Sequence, residues 1–322
     1  MKFLPLILTC IFAASTFIAH AWGFFAHQLI NEVAIYSLPR PMFGFYKQHA
    51  DRLMELSVAA DKRRYTDEDE APRHYLDADR FEAVAPFDSI PMFYTEAVEK
   101  YSEDTLLKYG IVPWHVQTVL YRLTEAFKIR DTAQIIYLSA DLCHYVSDAC
   151  VPLHSTLNYD GQLTGQKGIH ALWERRVPEL SSSTYDLWTG KAEYFPNPTQ
   201  TVWTAFEQSF RAKDTVLLVE RELAEQFTDA IKTVEERGSR TVTEYTIPFS
   251  RAYEKKLNRM VEKRMRISIW LTAGLWTTAW MNAGQPELPF EIRKPRKRTL
   301  KNLVEKSRSD LRGEILGRKE SH

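Results

Sequence analysis

Cysteine is scarce in this chain: 322 residues hold three. Cys10 lies in an apolar leader, and Cys143 and Cys150, if one helix carries both, stand about 10 Å apart along its axis, beyond the reach of a disulfide. An oxidising compartment is thus permitted but not exploited, and a disulfide-stapled scaffold is excluded. Strand signals are also few. Alternating runs of Val, Ile and Thr are rare, and no Asn-Gly or Asp-Gly turn joins two of them, which speaks against a sandwich or barrel. There is no Gly/Ser linker and no internal repeat, so the simplest division is one large domain plus a tail. Long apolar runs are missing too. The stretch Ile267 to Trp280 falls short of the roughly 20 residues that span a bilayer and follows Arg264 and Arg266, so it reads as a buried core helix.

Excess charge of either sign is absent as well, with 42 basic and 42 acidic residues. The balance hides an asymmetry: Ile292 to His322 contains eleven Lys/Arg against four Asp/Glu, so the body is acidic and the tail basic. That tail, taken as 291–322, is either a solvated, mobile extension or a patch attracted to polyanions such as anionic membrane or nucleic acid.

At the other end, Met1-Lys2, an apolar run from Phe3 to Phe17 and Ala19-His20-Ala21 form a charged n-region, an h-region and an A-x-A cleavage site. Residues 1–21 are therefore expected to be a signal peptide, the mature protein to be secreted or periplasmic, and Trp22 to become its first residue. Helical patterns fill the rest. Pro113 suits a first helical position before the periodic run Trp114 to Leu123, and Thr132 to about Ala149 repeats the pattern before Pro152. Further helices are expected at 24–37, 42–56, 93–108, 171–180, 203–212, 215–237 and 251–283. The fold class is all-α, with one multi-helix domain over 22–290.

Two spacings carry chemistry. His144 and Asp148 stand at i and i+4, as do His170 and Glu174, so each pair shares one helix face. One such pair alone is commonly a surface pair. Two pairs with His154 between them suggest a shared metal site, and imidazole with carboxylate suits zinc. His49, His115 and His322 lack such company and read as ordinary surface or core histidines.

The stretch Leu138 to His154, with its H-x3-D-x5-H spacing, followed by His170-Ala-Leu-Trp-Glu174, resembles the zinc-dependent phospholipase C family and the related fungal zinc nucleases that act on single strands. Trp22-Gly-Phe-Phe-Ala-His27 is similar to the nuclease form of that family's mature amino terminus. Asp61 and His74, in Ala60-Asp61 and Arg73-His74-Tyr75, look like two further ligands. The resemblance implies three zinc ions. One would be held by Asp61, His74, His144 and Asp148, and a second by His154, His170 and Glu174. The third would take the freed amine and carbonyl of Trp22, His27 and the other oxygen of Asp148. It also implies hydrolysis of a phosphodiester by metal-activated hydroxide, with Asp61 as a candidate base and Arg64 as a phosphate contact. A guanidinium can grip phosphate oxygens in bidentate fashion. The alternative for Arg64 is membership of an exposed Lys62-Arg63-Arg64 charge run.

Two features pull in different directions on the substrate. The short Trp22 to His27 spacing and Arg64 resemble the nucleases. Glu174 and the compact stretch between His154 and His170 resemble the phospholipases, and Arg175 stands where the nucleases tend to have Asn. The reading favoured is a phospholipase C-like enzyme acting on a phospholipid head group, with a nuclease for single-stranded DNA or RNA as the alternative. A non-catalytic helical protein with structural zinc is the third reading. It is weakened because neither Cys143 nor Cys150 falls at a ligand position of the motif.

Overall fold

Proline and short polar side chains start many of the helices. The computed structural model describes residues 23–82, 85–237 and 240–290. The expected signal peptide, Trp22 and the basic tail lie outside the described residues. The amino-terminal half holds α1 (Phe24–Ser37), α2 (Arg40–Gln48), α3 (Ala50–Leu56) and α4 (Ala59–Arg63), then α5 (Tyr94–Tyr101), α6 (Glu103–Tyr109), α7 (Val112–Lys128) and α8 (Thr132–Ala149). Pro113 sits in the first turn of α7, and the Asp131 carboxylate caps α8 by accepting from the Gln134 N–H at 3.0 Å. Then come α9 (Ile169–Ala171), a wide π-helical turn (Leu172–Arg176) and α10 (Val177–Ser181) in one continuous run, α11 (Pro198–Gln226), α12 (Ile247–Lys256) and α13 (Met260–Asn282).

The chain is mostly helical, as its patterning predicts, but several boundaries differ. The segment 42–56 is two helices that meet at His49. The segment 93–108 divides at Ser102, whose φ of 71° ends α5 while its hydroxyl accepts from the Thr105 N–H and starts α6. Asn258 and Arg259, with φ of 52° and 59°, separate α12 from α13 inside the expected 251–283 helix. Segment 203–212 and the first part of 215–237 instead lie on the single helix α11, which stops at Gln226.

After α11 the chain makes a hairpin that the helical reading of 215–237 missed. Strand β1 (Lys232–Arg237) pairs antiparallel with β2 (Arg240–Tyr245), in a register that sets Lys232 opposite Tyr245 and Arg237 opposite Arg240. Thr-Val-Glu and Thr-Val-Thr alternate on the two sides of Gly238-Ser239, a pair suited to a two-residue connection.

The core forms around α8 and α13, which pack on each other and on α1 and α7. Helix α13 is buried from Leu271 to Trp280, as expected of a core helix, and among the described residues no helix is long and apolar enough to cross a membrane. The Trp276 indole is fully buried, lies against Tyr46 and donates to the Ser139 carbonyl of α8 at 3.0 Å. Arg264 is buried as well. Its guanidinium donates to the carbonyls of Cys150 at 2.8 Å and Ala205 at 2.9 Å, tying α13 to α11 and to the carboxyl end of α8. These contacts fix the height of α8, the helix that carries His144 and Asp148.

Candidate metal centre

Eight of the nine expected ligand residues lie within the described chain, and all eight are buried. His27 comes from the first turns of α1 and Asp61 from α4. His74 ends a 3-10 turn (Ala71–His74), and His144 and Asp148 share a face of α8. His154 lies on a 3-10 turn (Pro152–Ser155), His170 on α9, and Glu174 in the wide turn. Their donor atoms fall into three groups able to hold a metal ion: His27 with Asp61 and His144; His74 with His144 and Asp148; and His154 with His170 and Glu174. Trp22, the ninth, lies outside the described residues.

Ring orientation is set from behind. Nδ1 of His144 contacts the Ser57 carbonyl at 2.8 Å, that of His154 the His74 carbonyl at 2.8 Å, and that of His170 the Tyr159 carbonyl at 2.9 Å. In the neutral ring each contact places the proton on Nδ1 and leaves the Nε2 lone pair facing the site, as metal ligation requires. His74 is turned the other way. Its Nδ1 enters the site, and its Nε2 lies 3.4 Å from Glu70 Oε1.

Within the last group the donor atoms are separated by 2.9 Å (His170 to Glu174), 3.1 Å (His154 to His170) and 3.5 Å (His154 to Glu174). In the second group the separations are 2.8 Å (His74 to Asp148), 3.1 Å (His74 to His144) and 3.3 Å (His144 to Asp148). Ligands about 2.0–2.1 Å from a tetrahedral zinc stand roughly 3.3 Å apart, so both groups match such a polyhedron. Two imidazole lone pairs facing each other at 3.1 Å, as in His154 and His170, need a proton or a cation between them.

Asp148 links the groups. Its Oδ2 faces His74 and His144, while Oδ1 lies 3.5 Å from His27 Nε2 and 3.8 Å from His154 Nδ1. Asp61 Oδ1 stands 3.9 Å from His74 Nδ1 and 3.8 Å from His144 Nε2. Both oxygens of Asp61, Oδ1 of Asp148 and both ring nitrogens of His27 are buried with no hydrogen-bond partner among the described residues. Burying unpaired polar atoms is costly, and metal ligation satisfies them all at once.

Electrostatics agree with that reading. Burial raises the Asp61 carboxyl against the pull of His144 and His74. Burial also opposes ionisation of Asp148, but the imidazoles of His144, His154 and His74 hold its carboxyl well below the usual range. For His144 burial favours the neutral ring, yet Asp148 and Asp61 push it up to about 9. His27 is driven well down, by burial first and then by the neighbouring His144, on which it stacks at 4.0 Å. A cluster whose carboxylates draw protons onto its imidazoles is one that a cation can enter by displacing those protons.

Behind His74 stands a polar network that the sequence reading did not find. The Arg63 guanidinium contacts Glu70, grips both oxygens of Asp141 at 3.1 and 3.0 Å, and donates to the hydroxyls of Tyr137 and Tyr145. Glu70 is fully buried and also accepts from Arg73 at 2.7 Å and from the Tyr145 hydroxyl. The signal was present: Glu70 and His74 repeat the i, i+4 spacing of the other two pairs. The network also corrects the picture of an exposed run at 62–64, because only Lys62 is exposed. Arg63 is drawn into the network by the two buried carboxylates. Arg64 is half-buried, and its charge acts on Asp61 and Tyr75. His115 packs its ring on Tyr145 at 4.5 Å and stays outside the three metal-binding groups.

Comparison with protein-family models gives no match, and no curated protein matches the chain.

Proposed function

We propose that this chain is a zinc-dependent phosphodiesterase of the phospholipase C type, exported and processed so that Trp22 becomes its first residue. The observation that carries the reading is the position of Asp148. One oxygen faces His74 and His144, the other faces His27, and both are buried. A single carboxylate presenting its two oxygens to different donor groups is the arrangement that holds metal ions close together.

The residues fit zinc by donor chemistry: imidazole and carboxylate only, with neither cysteine in any group. Asp61, His74, His144 and Asp148 would hold one ion, and His154, His170 and Glu174 a second. His27 and Asp148, with the amine and carbonyl of Trp22, would hold a third. Zinc bound there would supply an acidified water near neutral pH and polarise the phosphoryl oxygens of an anionic ester. The protein's own part is to fix these donors from behind through Ser57, His74, Tyr159 and Glu70, and to keep them in a dry, buried setting where charge interactions are strong. Asp61 is buried among the ligands, which favours ligation over a free base. Arg64, half-buried and acting by its charge on Asp61, would be the phosphate contact. An arginine three residues after Asp61 is also the feature that favours the second reading, a nuclease for single strands.

The test is to purify the processed protein, measure bound zinc by mass spectrometry, and assay a choline phospholipid beside single-stranded DNA and RNA. About three zinc ions with phospholipid hydrolysis are expected. Activity on nucleic acid alone would move the substrate to the second reading. About three ions with neither activity would leave a non-catalytic zinc protein, and zinc near zero would remove the metal-centre reading.

A further inference from the structure

The hairpin reaches the metal centre through one carboxylate. Glu244, on β2, is only 5% exposed. Its Oε1 accepts from Arg175 Nη2 at 2.6 Å, and its Oε2 lies 3.3 Å from Arg176 Nη1. These are the two residues that follow Glu174, and all three belong to the π-helical turn Leu172–Arg176. A π turn is a rare distortion, and it persists where its surroundings hold it. Here the last two side chains of the turn both reach the same buried acid.

The hairpin bearing that acid is anchored independently. The Tyr245 hydroxyl donates to Glu220 Oε1 at 2.8 Å, and the Lys232 ammonium donates to the Lys167 carbonyl at 2.7 Å. The Gln166 amide in turn donates to the Leu217 carbonyl at 2.7 Å and to Glu220. The hairpin is therefore fixed both to α11 and to the loop that leads into His170. On the opposite side, the stem of Arg175 forms the floor under Gly23, where an added Cβ would meet Arg175 Cγ at 2.7 Å. The Gly23 N–H then donates to the Glu174 carbonyl at 3.3 Å.

We propose that Glu244 is a positioning residue for the ion held by His154, His170 and Glu174. By holding Arg175 and Arg176 together it sets the wide turn that brings Glu174 Oε2 to 2.9 Å from His170 Nε2, and it keeps the Arg175 stem beneath Gly23. This rests on the metal-centre reading above. The role differs from the backing of His74 by Glu70, because Glu244 grips Arg175 and Arg176, the two residues after Glu174, and acts through the backbone of the turn.

The experiment is zinc titration of the full processed protein against a chromophoric chelator, with cobalt(II) absorption spectra as a second readout, comparing wild type with Glu244→Gln. Glu174→Gln identifies which binding step belongs to the ion in question. Glu244→Gln is expected to weaken that one step by roughly 10–100-fold, the usual effect of an outer-shell change, and to alter the cobalt spectrum, while the other steps keep wild-type affinity. If Glu244→Gln does not fold, Glu244→Asp carries the test: it retains the charge but is too short to reach both arginines, and the same step should weaken. Unchanged affinity at that step, or equal weakening at every step, would overturn the proposal while leaving the metal centre in place. Absence of zinc from the wild type would remove both.

Discussion

The Gly23 N–H donates to the Glu174 carbonyl at 3.3 Å, which ties the chain one residue after Trp22 to the backbone of a candidate metal ligand. On the proposed reading, processing would free the Trp22 amine as a ligand, whereas before processing the same nitrogen is an amide and a poor ligand. We predict that a protein retaining even one residue before Trp22 binds about one zinc fewer and loses most of its activity, on the order of tenfold or more. Zinc analysis and turnover of the two forms, prepared in parallel, check this. Equal zinc and equal activity would separate the amino terminus from the site.

The legible parts of this site are the two pairs with helical spacing. His144 with Asp148 and His170 with Glu174 announce themselves because i and i+4 fall on one face of a helix; the first pair lies on regular α8, while the second runs from α9 into the π-helical turn and is still brought together. Asp61 and His74 sit in short α and 3-10 segments without a periodic pattern, and only a family resemblance singles them out. Glu70 had the same i, i+4 relation to His74, but its task is to back a ligand, and spacing does not distinguish that from ligation. Helix ends at Ser102 and Arg259 were hidden for another reason: both residues adopt positive φ without being glycine, a conformation that tertiary contacts impose. The hairpin went unread because Gly238-Ser239 is a weaker turn signal than Asn-Gly, and the strongly charged strands beside it resemble an exposed helix face.

Away from the metal centre, Glu254 supplies a pH dependence whose sign can be fixed. Burial first, then the Glu262 charge, raises its carboxyl from 4.5 to about 7, although the Tyr185 hydroxyl donates to it at 2.6 Å. The folded state thus binds this proton more tightly than the unfolded state. The resulting stabilisation is complete below pH 4.5 and is lost as pH rises through about 7. Glu254→Gln should remove that dependence, leaving the variant similar to wild type at low pH and more stable at pH 8 by about 1–2 kcal/mol after allowing for solvent screening. Thermal melts of chelated protein across the pH range measure this without a zinc contribution. A parallel pair of curves would show that Glu254 ionises in the fold without cost.

Arg264 tests how α8 is held. Its guanidinium is buried among the carbonyls of Cys150 and Ala205 and the Ser209 hydroxyl, and burial lowers its pKa. Replacing it with methionine fills most of the volume but leaves those acceptors without their donor. Arg264→Met should cost roughly 2–4 kcal/mol, because unsatisfied buried acceptors are more expensive than the net gain from the bonds they lose. Urea unfolding of the chelated protein reads this directly. A loss below about 0.5 kcal/mol would mean that the carbonyls find other partners.

Asp148 and Asp61 are both buried carboxylates among histidines, yet their geometry predicts different outcomes. Asp148 turns Oδ2 toward His74 and His144 and Oδ1 toward His27, whereas Asp61 approaches His74 and His144 with Oδ1 alone. An amide at position 148 keeps the shape but removes the charge and replaces one acceptor with a donor. Asp148→Asn should therefore reduce bound zinc from about three to about one, because two ions depend on that carboxylate, and should lower turnover on the order of a thousandfold. Asp61→Asn should cost a single ion. The comparison works because each variant controls for the other: both remove one buried charge from the same cluster, so a general electrostatic effect would lower zinc content equally. Equal losses would show that Asp148 does not bridge.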